Sequence, residues 1–155
     1  MIEHDIEKLL PHRTPMIFIS DVVECDLENN SLIAKVDIKS TDMLYQENIK
    51  GVPVYTALEY MAQAVGCFVG HYDLQQDPNA KPGVGFVIGT RKLQTYLPVF
   101  KSNTQYYVSV KSIFFDETIA SFECKMYDSE ENIAAEAILN AYRPTDIESF
   151  KRENL

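Results

Sequence analysis

Two side chains are best placed to move protons in this chain, a carboxyl and an imidazole. Glu59 interrupts the apolar stretch 54–70 and is flanked by Leu58, Tyr60 and Met61. A carboxyl in apolar surroundings has its charged form disfavoured and its pKa raised, as a general acid near neutral pH requires. His12 lies in Pro11-His12-Arg13-Thr14-Pro15, where two prolines stiffen the backbone on either side of it. A base needs rigid placement, although most loop histidines do no chemistry. His4 lies near the N-terminus. His71 falls near the end of a helical segment, where a cation favours the helix dipole. Both read as structural or solvent-exposed.

Glu59 also has a plainer reading. Thr56-Ala57-Leu58-Glu59 matches the capping box, in which the glutamate only bonds the cap residue's N–H. Against that, the helix is expected to open at Pro53 or Val54, which puts Glu59 in its second turn. At about 100° per residue, Glu59, Gln63, Gly66 and Gly70 fall on one narrow face. Gln63, one turn on, could orient Glu59. A mid-helix glycine costs about 1 kcal/mol relative to alanine. Two on this face imply close approach by something, either a sheet backbone or a bound chain.

Positioning these groups takes a particular set of elements. Asp5 can cap a short helix over 6–10, which Pro11 closes. Apolar runs at 16–27 and 31–38, separated by Glu28-Asn29-Asn30, read as strand, turn and strand. An irregular stretch, 39–52, precedes the helix from Pro53 to about Asp73, and a polar loop covers 74–83. Residues 84–97, 104–116, 117–128 and 133–142 are rich in β-branched and aromatic residues and read as strands. A short polar tail that could form a helix closes the chain. A helix apolar on nearly all sides must be enclosed, and only the sheet is large enough to enclose it. The expected fold is α+β: a curved antiparallel sheet wrapped around one long central helix, the hot-dog arrangement. The rival is a sandwich with the helix lying on one face.

Composition narrows the functional classes. The 155 residues suit one domain over 1–155, with 46% hydrophobic and 24% charged residues. A net charge of -9 argues against nucleic acid as a partner. The most apolar stretch is too short and too interrupted to span a bilayer. The opening MIEHDIEKLL carries acids where an export signal carries bases. Cys25, Cys67 and Cys124 lack metal-ligand spacing and cannot all pair, which fits a reducing cytoplasm. No metal or cofactor is expected.

The segment Leu9-Leu10-Pro11-His12-Arg13-Thr14-Pro15-Met16 resembles the L-P-H-R-x-P-x segment of the β-hydroxyacyl-acyl-carrier-protein dehydratases of fatty-acid synthesis. Glu59-Tyr60-Met61-Ala62-Gln63 is similar to their E-x-M-A-Q helix. Arg91 and Leu97-Pro98-Val99 look like the strand and proline that follow. The fuller run 57–66 resembles a stand-alone subgroup of aryl-polyene pathways.

The resemblance implies a hot-dog homodimer or higher homo-oligomer whose sites lie at the dimer interface, with His12 of one chain facing Glu59 of the other. His12 would remove the C2 proton of a 3-hydroxyacyl thioester and Glu59 would protonate the departing 3-hydroxyl. Backbone N–H groups at a helix N-terminus can stabilise the thioester oxygen. Val54, Gln63 and Gly66 are the expected substrate-binding residues. An acyl-carrier protein is acidic, so Arg13, Arg91, Lys92 and Lys101 are the candidate docking cations.

The chain departs from the family in two places. Val54 stands where the family has glycine after the helix-opening proline, and residues 45–51 replace its H-F-P-G-type loop. Both bear on substrate identity more than on fold. Two rival functions remain. One is a hot-dog thioesterase, against which His12 argues, since hydrolysis needs no base at C2. The other is a non-catalytic acyl-binding protein, for which Val54 argues.

Overall fold

A computed structural model of the chain describes residues 6–83, 85–116 and 118–144. The helix α1 (Ile6–Leu9) leads through an extended loop to β1 (Asp21–Asp26) and β2 (Ser31–Ile38). After β3 (Gly51–Pro53), a 3-10 turn (Val54–Thr56) runs into the long helix α2 (Ala57–Gln76). The remaining elements are β4 (Phe86–Thr95), β5 (Val99–Lys101), β6 (Thr104–Phe115), β7 (Ile119–Asp128) and β8 (Ile133–Tyr142). His4, the Asp5 cap and the tail beyond residue 144 lie outside the described residues.

Six strands form one antiparallel sheet in the order β1-β2-β6-β7-β8-β4. Alternation explains which face is inward. Leu32, Ala34, Val36 and Ile38 of β2 are buried, as are Ala120, Phe122, Cys124 and Met126 of β7, with more exposed residues between them. Asp26 and Asp128 end β1 and β7 and Asp116 follows β6, and each accepts backbone N–H bonds from the residues that follow it. α2 packs on β1, β2, β6, β7 and β8. Tyr60, Met61, Ala64, Cys67 and Phe68 fill the concavity, with the Phe68 ring 5.5 Å from both Phe115 and Phe122. This is the hot-dog arrangement.

The sheet wraps α2 but leaves one side of it open in the single chain. Glu59 is exposed in the single chain, and Ala62, Gly66, Val69 and Asp73 are half-buried. At three- and four-residue spacing they make one stripe that the sheet does not cover. No helix among the described residues is long and apolar enough to cross a membrane.

Besides the end of α2, which runs to Gln76 rather than to about Asp73, three differences from the expected elements bear on the site. β1 begins at Asp21 rather than residue 16, because the Met16 carbonyl and Phe18 N–H are bonded to the Gln63 side chain and cannot pair with a strand. β3 and β5, which pair with each other, are three residues each and too short to show a period. The α-helix proper starts at Ala57, so Glu59 stands in its first turn rather than its second. The capping box is nevertheless not made as such: the Thr56 hydroxyl donates to the Pro53 carbonyl at 2.6 Å and caps no α2 amide.

Candidate active site

The face of α2 that carries Glu59 also holds the segment that carries His12. A Cβ on Gly70 would stand 2.4 Å from the Leu9 carbonyl oxygen and 2.7 Å from the Leu9 Cα. A Cβ on Gly66 would stand 2.7 Å from a Leu10 methyl. The close approach implied by these glycines is therefore that of the chain's own Leu9-Leu10, two residues before His12. Next along this face, Gln63 accepts from the Phe18 N–H at 2.8 Å and donates to the Met16 carbonyl at 2.6 Å. The Gln63 amide, an expected orienter of Glu59 or substrate contact, thus bonds loop backbone through both its oxygen and its nitrogen.

Between those anchors the loop is braced internally. The Met16 N–H donates to the Arg13 carbonyl at 2.8 Å. Arg13 Nη1 donates to the carbonyls of Leu10 and His12, at 3.0 and 2.7 Å, and Nε stands 3.9 Å from Glu7. Arg13 was expected to meet a carrier protein, yet its guanidinium bonds the loop around His12. The His12 ring is half-buried, and its Nδ1 is buried with no hydrogen-bond partner among the described residues.

His12 and Glu59 border the same cleft, of about 260 Å³. One wall is the open stripe of α2 from Glu59 to Asp73, about 21 Å of helix at 1.5 Å per residue. Opposite it stand Val87, Phe115, Leu139 and Ala141 from the strand ends. An apolar trough bordered by an acid and a base suits a chain-like substrate. Glu59 itself is open to solvent, so the apolar enclosure expected of it is not supplied by this chain.

The other expected residues are dispersed. Gln63 and Gly66 line the cleft, whereas Val54, half-buried in the 3-10 turn, does not. Arg91 and Lys92 lie on β4 and Lys101 ends β5; all three are exposed and lie outside the cleft lining. Among the described residues no three His, Cys, Asp or Glu side chains gather where they could hold a metal ion.

The sequence reading missed the pair that borders the cleft beyond Val69. Arg143 grips Asp73 through Nη1 and Nη2 at 2.5 and 3.2 Å. The two residues are 70 apart in sequence, and no spacing rule links them.

Comparison with known proteins places the chain. A family model for ApeP dehydratase, of the ApeP-like family, matches residues 4–152. The chain belongs to the ApeP-like dehydratase family. It is also 29% identical over 98 residues to the 3-hydroxyacyl-[acyl-carrier-protein] dehydratase FabZ of Chlamydia trachomatis serovar D. That match covers 61% of this chain and 62% of the relative, so it spans less than two thirds of the relative's length. Among solved structures, the dehydratase heterocomplex ApeI:P from Xenorhabdus doucetiae superposes with a TM-score of 0.87 at 22% identity, over 99% of this chain and 100% of that one. A hypothetical thioesterase from Streptococcus pneumoniae TIGR4, solved with coenzyme A, gives 0.59 at 9% identity, over 80% and 84%. At such identities these likenesses show the hot-dog fold that ApeP-like dehydratases share with other proteins, and nothing of their chemistry.

Proposed function

We propose that the chain dehydrates 3-hydroxyacyl thioesters, carried on an acyl-carrier protein, to 2-enoyl thioesters. The observation that carries this reading is the presence of His12 and Glu59 along one apolar cleft, in a chain of a dehydratase family. His12 takes the C2 proton, and the electron pair left behind spreads onto the thioester carbonyl. As the C2–C3 double bond forms, the C3–O bond breaks and Glu59 protonates the leaving oxygen, releasing water. Backbone amides at the start of the helical stretch, which opens at Val54, would donate to the carbonyl oxygen as charge develops on it. No metal or cofactor enters the scheme.

The site is proposed to lie in a homodimer, with His12 facing the partner chain's Glu59. The uncovered α2 stripe and the solvent-exposed Glu59 support this, since a second chain would supply the missing enclosure. A within-chain pair is the second reading, favoured by the cleft that the two residues share. Mixing His12→Ala with Glu59→Gln chains separates them. After verified subunit exchange, about half of the dimers are mixed, each with one intact site, so about a quarter of wild-type activity should return. No return would place the site within one chain.

The reaction itself is tested by offering purified protein 3-hydroxyacyl, 2-enoyl and saturated acyl thioesters. Interconversion of the first two without release of free thiol is the expected result. Hydrolysis of all three would mean a thioesterase, and binding without turnover a non-catalytic acyl carrier. The protein's place in the cytoplasm belongs to the same proposal, since the thioester substrate is made there.

A further inference from the structure

We infer that Gln63 is a positioning residue, which ties the loop carrying His12 to the helix turn after Glu59 and so fixes where the base stands in the site. The inference rests on the acid–base reading above. Gln63 is 3% exposed, and its carbonyl and its amide nitrogen each bond a backbone group of the loop. An amide so committed has little left to offer a substrate. From Gln63 a run of hydrogen bonds leads back to the base. The Met16 carbonyl accepts from Gln63, the Met16 N–H donates to the Arg13 carbonyl, and the Arg13 guanidinium donates to the His12 carbonyl. The loop's other end is seated where Leu9 and Leu10 cross Gly70 and Gly66. A loop held at that end alone would pivot about it, and Gln63 supplies the second attachment.

The bracket needs one donor and one acceptor on the same short side chain, which glutamine has. Methionine keeps the length and loses both. An ionised glutamate keeps the acceptor for Phe18 and sets a second acceptor against the Met16 carbonyl. A protonated glutamate restores the donor.

Two variants of the full chain test this. Gln63→Met, shown to be folded by its melting curve, should lose kcat on the order of 10²-fold, as a misplacement of about 1 Å does. KM for a small thioester should change by less than about threefold, because the lost contact is not to substrate. Gln63→Glu should regain kcat, relative to wild type at the same pH, as pH falls and its carboxyl takes up a proton. A packing role would not produce that profile. Hydrogen exchange at the Phe18 amide should quicken at least about tenfold in Gln63→Met and stay unchanged in His12→Ala. Wild-type kcat in folded Gln63→Met, a rise in KM with kcat intact, or unchanged Phe18 exchange would each overturn the inference. A wild-type chain with no dehydratase activity would refute the acid–base reading, and Phe18 exchange would then decide whether Gln63 anchors the loop.

Discussion

Gly70→Ala adds a single methyl group 11 residues along the chain from Glu59, the group proposed to react on α2, yet it should damage catalysis more than stability. The new Cβ would meet the Leu9 carbonyl oxygen at 2.4 Å, its Cα at 2.7 Å and its carbonyl carbon at 2.9 Å. Comfortable contacts begin near about 3.5 Å, so the Leu9 backbone must withdraw by about 1 Å. Overpacking of this kind costs about 1–3 kcal/mol, and alanine in place of glycine within a helix returns about 1 kcal/mol. The net loss is then about 0–2 kcal/mol, readable as a shift in the urea midpoint. The kinetic effect is larger. Leu9 lies three residues before His12 on a loop whose far end Gln63 holds in place, so the displacement is passed to the imidazole. A misplacement of about 1 Å corresponds to a loss of about 10² in kcat. Gly66→Ala is the control, because its Cβ meets only a Leu10 methyl, the free end of a flexible side chain. It should melt at or slightly above wild type and keep its kcat within a few-fold. Refutation would be Gly70→Ala turning over like wild type, or both alanines having equal effects.

Two further outcomes follow from charge and burial. Reversal of Arg91 and Lys92 to glutamate should raise KM for carrier-bound substrate and leave small thioesters almost unaffected, since exposed charges act on encounter with an acidic partner; an equal loss with both substrates would indicate folding damage. Burial pushes the Cys67 and Cys124 thiols from 9.0 up to about 12, and burial with the nearby Asp26 charge pushes Cys25 to about 11. Between those values the folded chain binds more protons than the unfolded one, so this contribution is full below pH 9 and is lost as pH rises toward 12. The melting temperature should therefore fall steadily above about pH 9, with thiol reagents reacting slowly below it; rapid labelling of the folded chain at about pH 8 would contradict this.

The parts legible from sequence are those that local patterning controls. β2 and β8 fall at the expected 31–38 and 133–142 because each has one inward face, and period two marks it. Met16 to Ser20 looked like a strand on apolarity alone, but its backbone is bonded to Gln63, 45 residues away, and composition cannot report so distant a partner. Gln63 stood out as a polar exception in an apolar run, yet what it would hold was unreadable for the same reason. Glu59 shows the opposite failure. Leu58, Tyr60 and Met61 are its neighbours in sequence, but a helix turns them away from it, and what faces Glu59 is the open stripe. The two glycines were read correctly as signs of close approach, while the approaching partner was local to the site rather than a sheet or a ligand.

The acid–base pair is tested most directly by steady-state turnover of a 3-hydroxyacyl thioester by His12→Ala and Glu59→Gln, each first shown to melt as the wild type does. Loss of a positioned acid or base typically costs about 10²–10⁴-fold, and each variant should fall by that amount with no metal added. Full turnover by both folded variants would contradict the account, since both proton transfers are assigned to these two side chains.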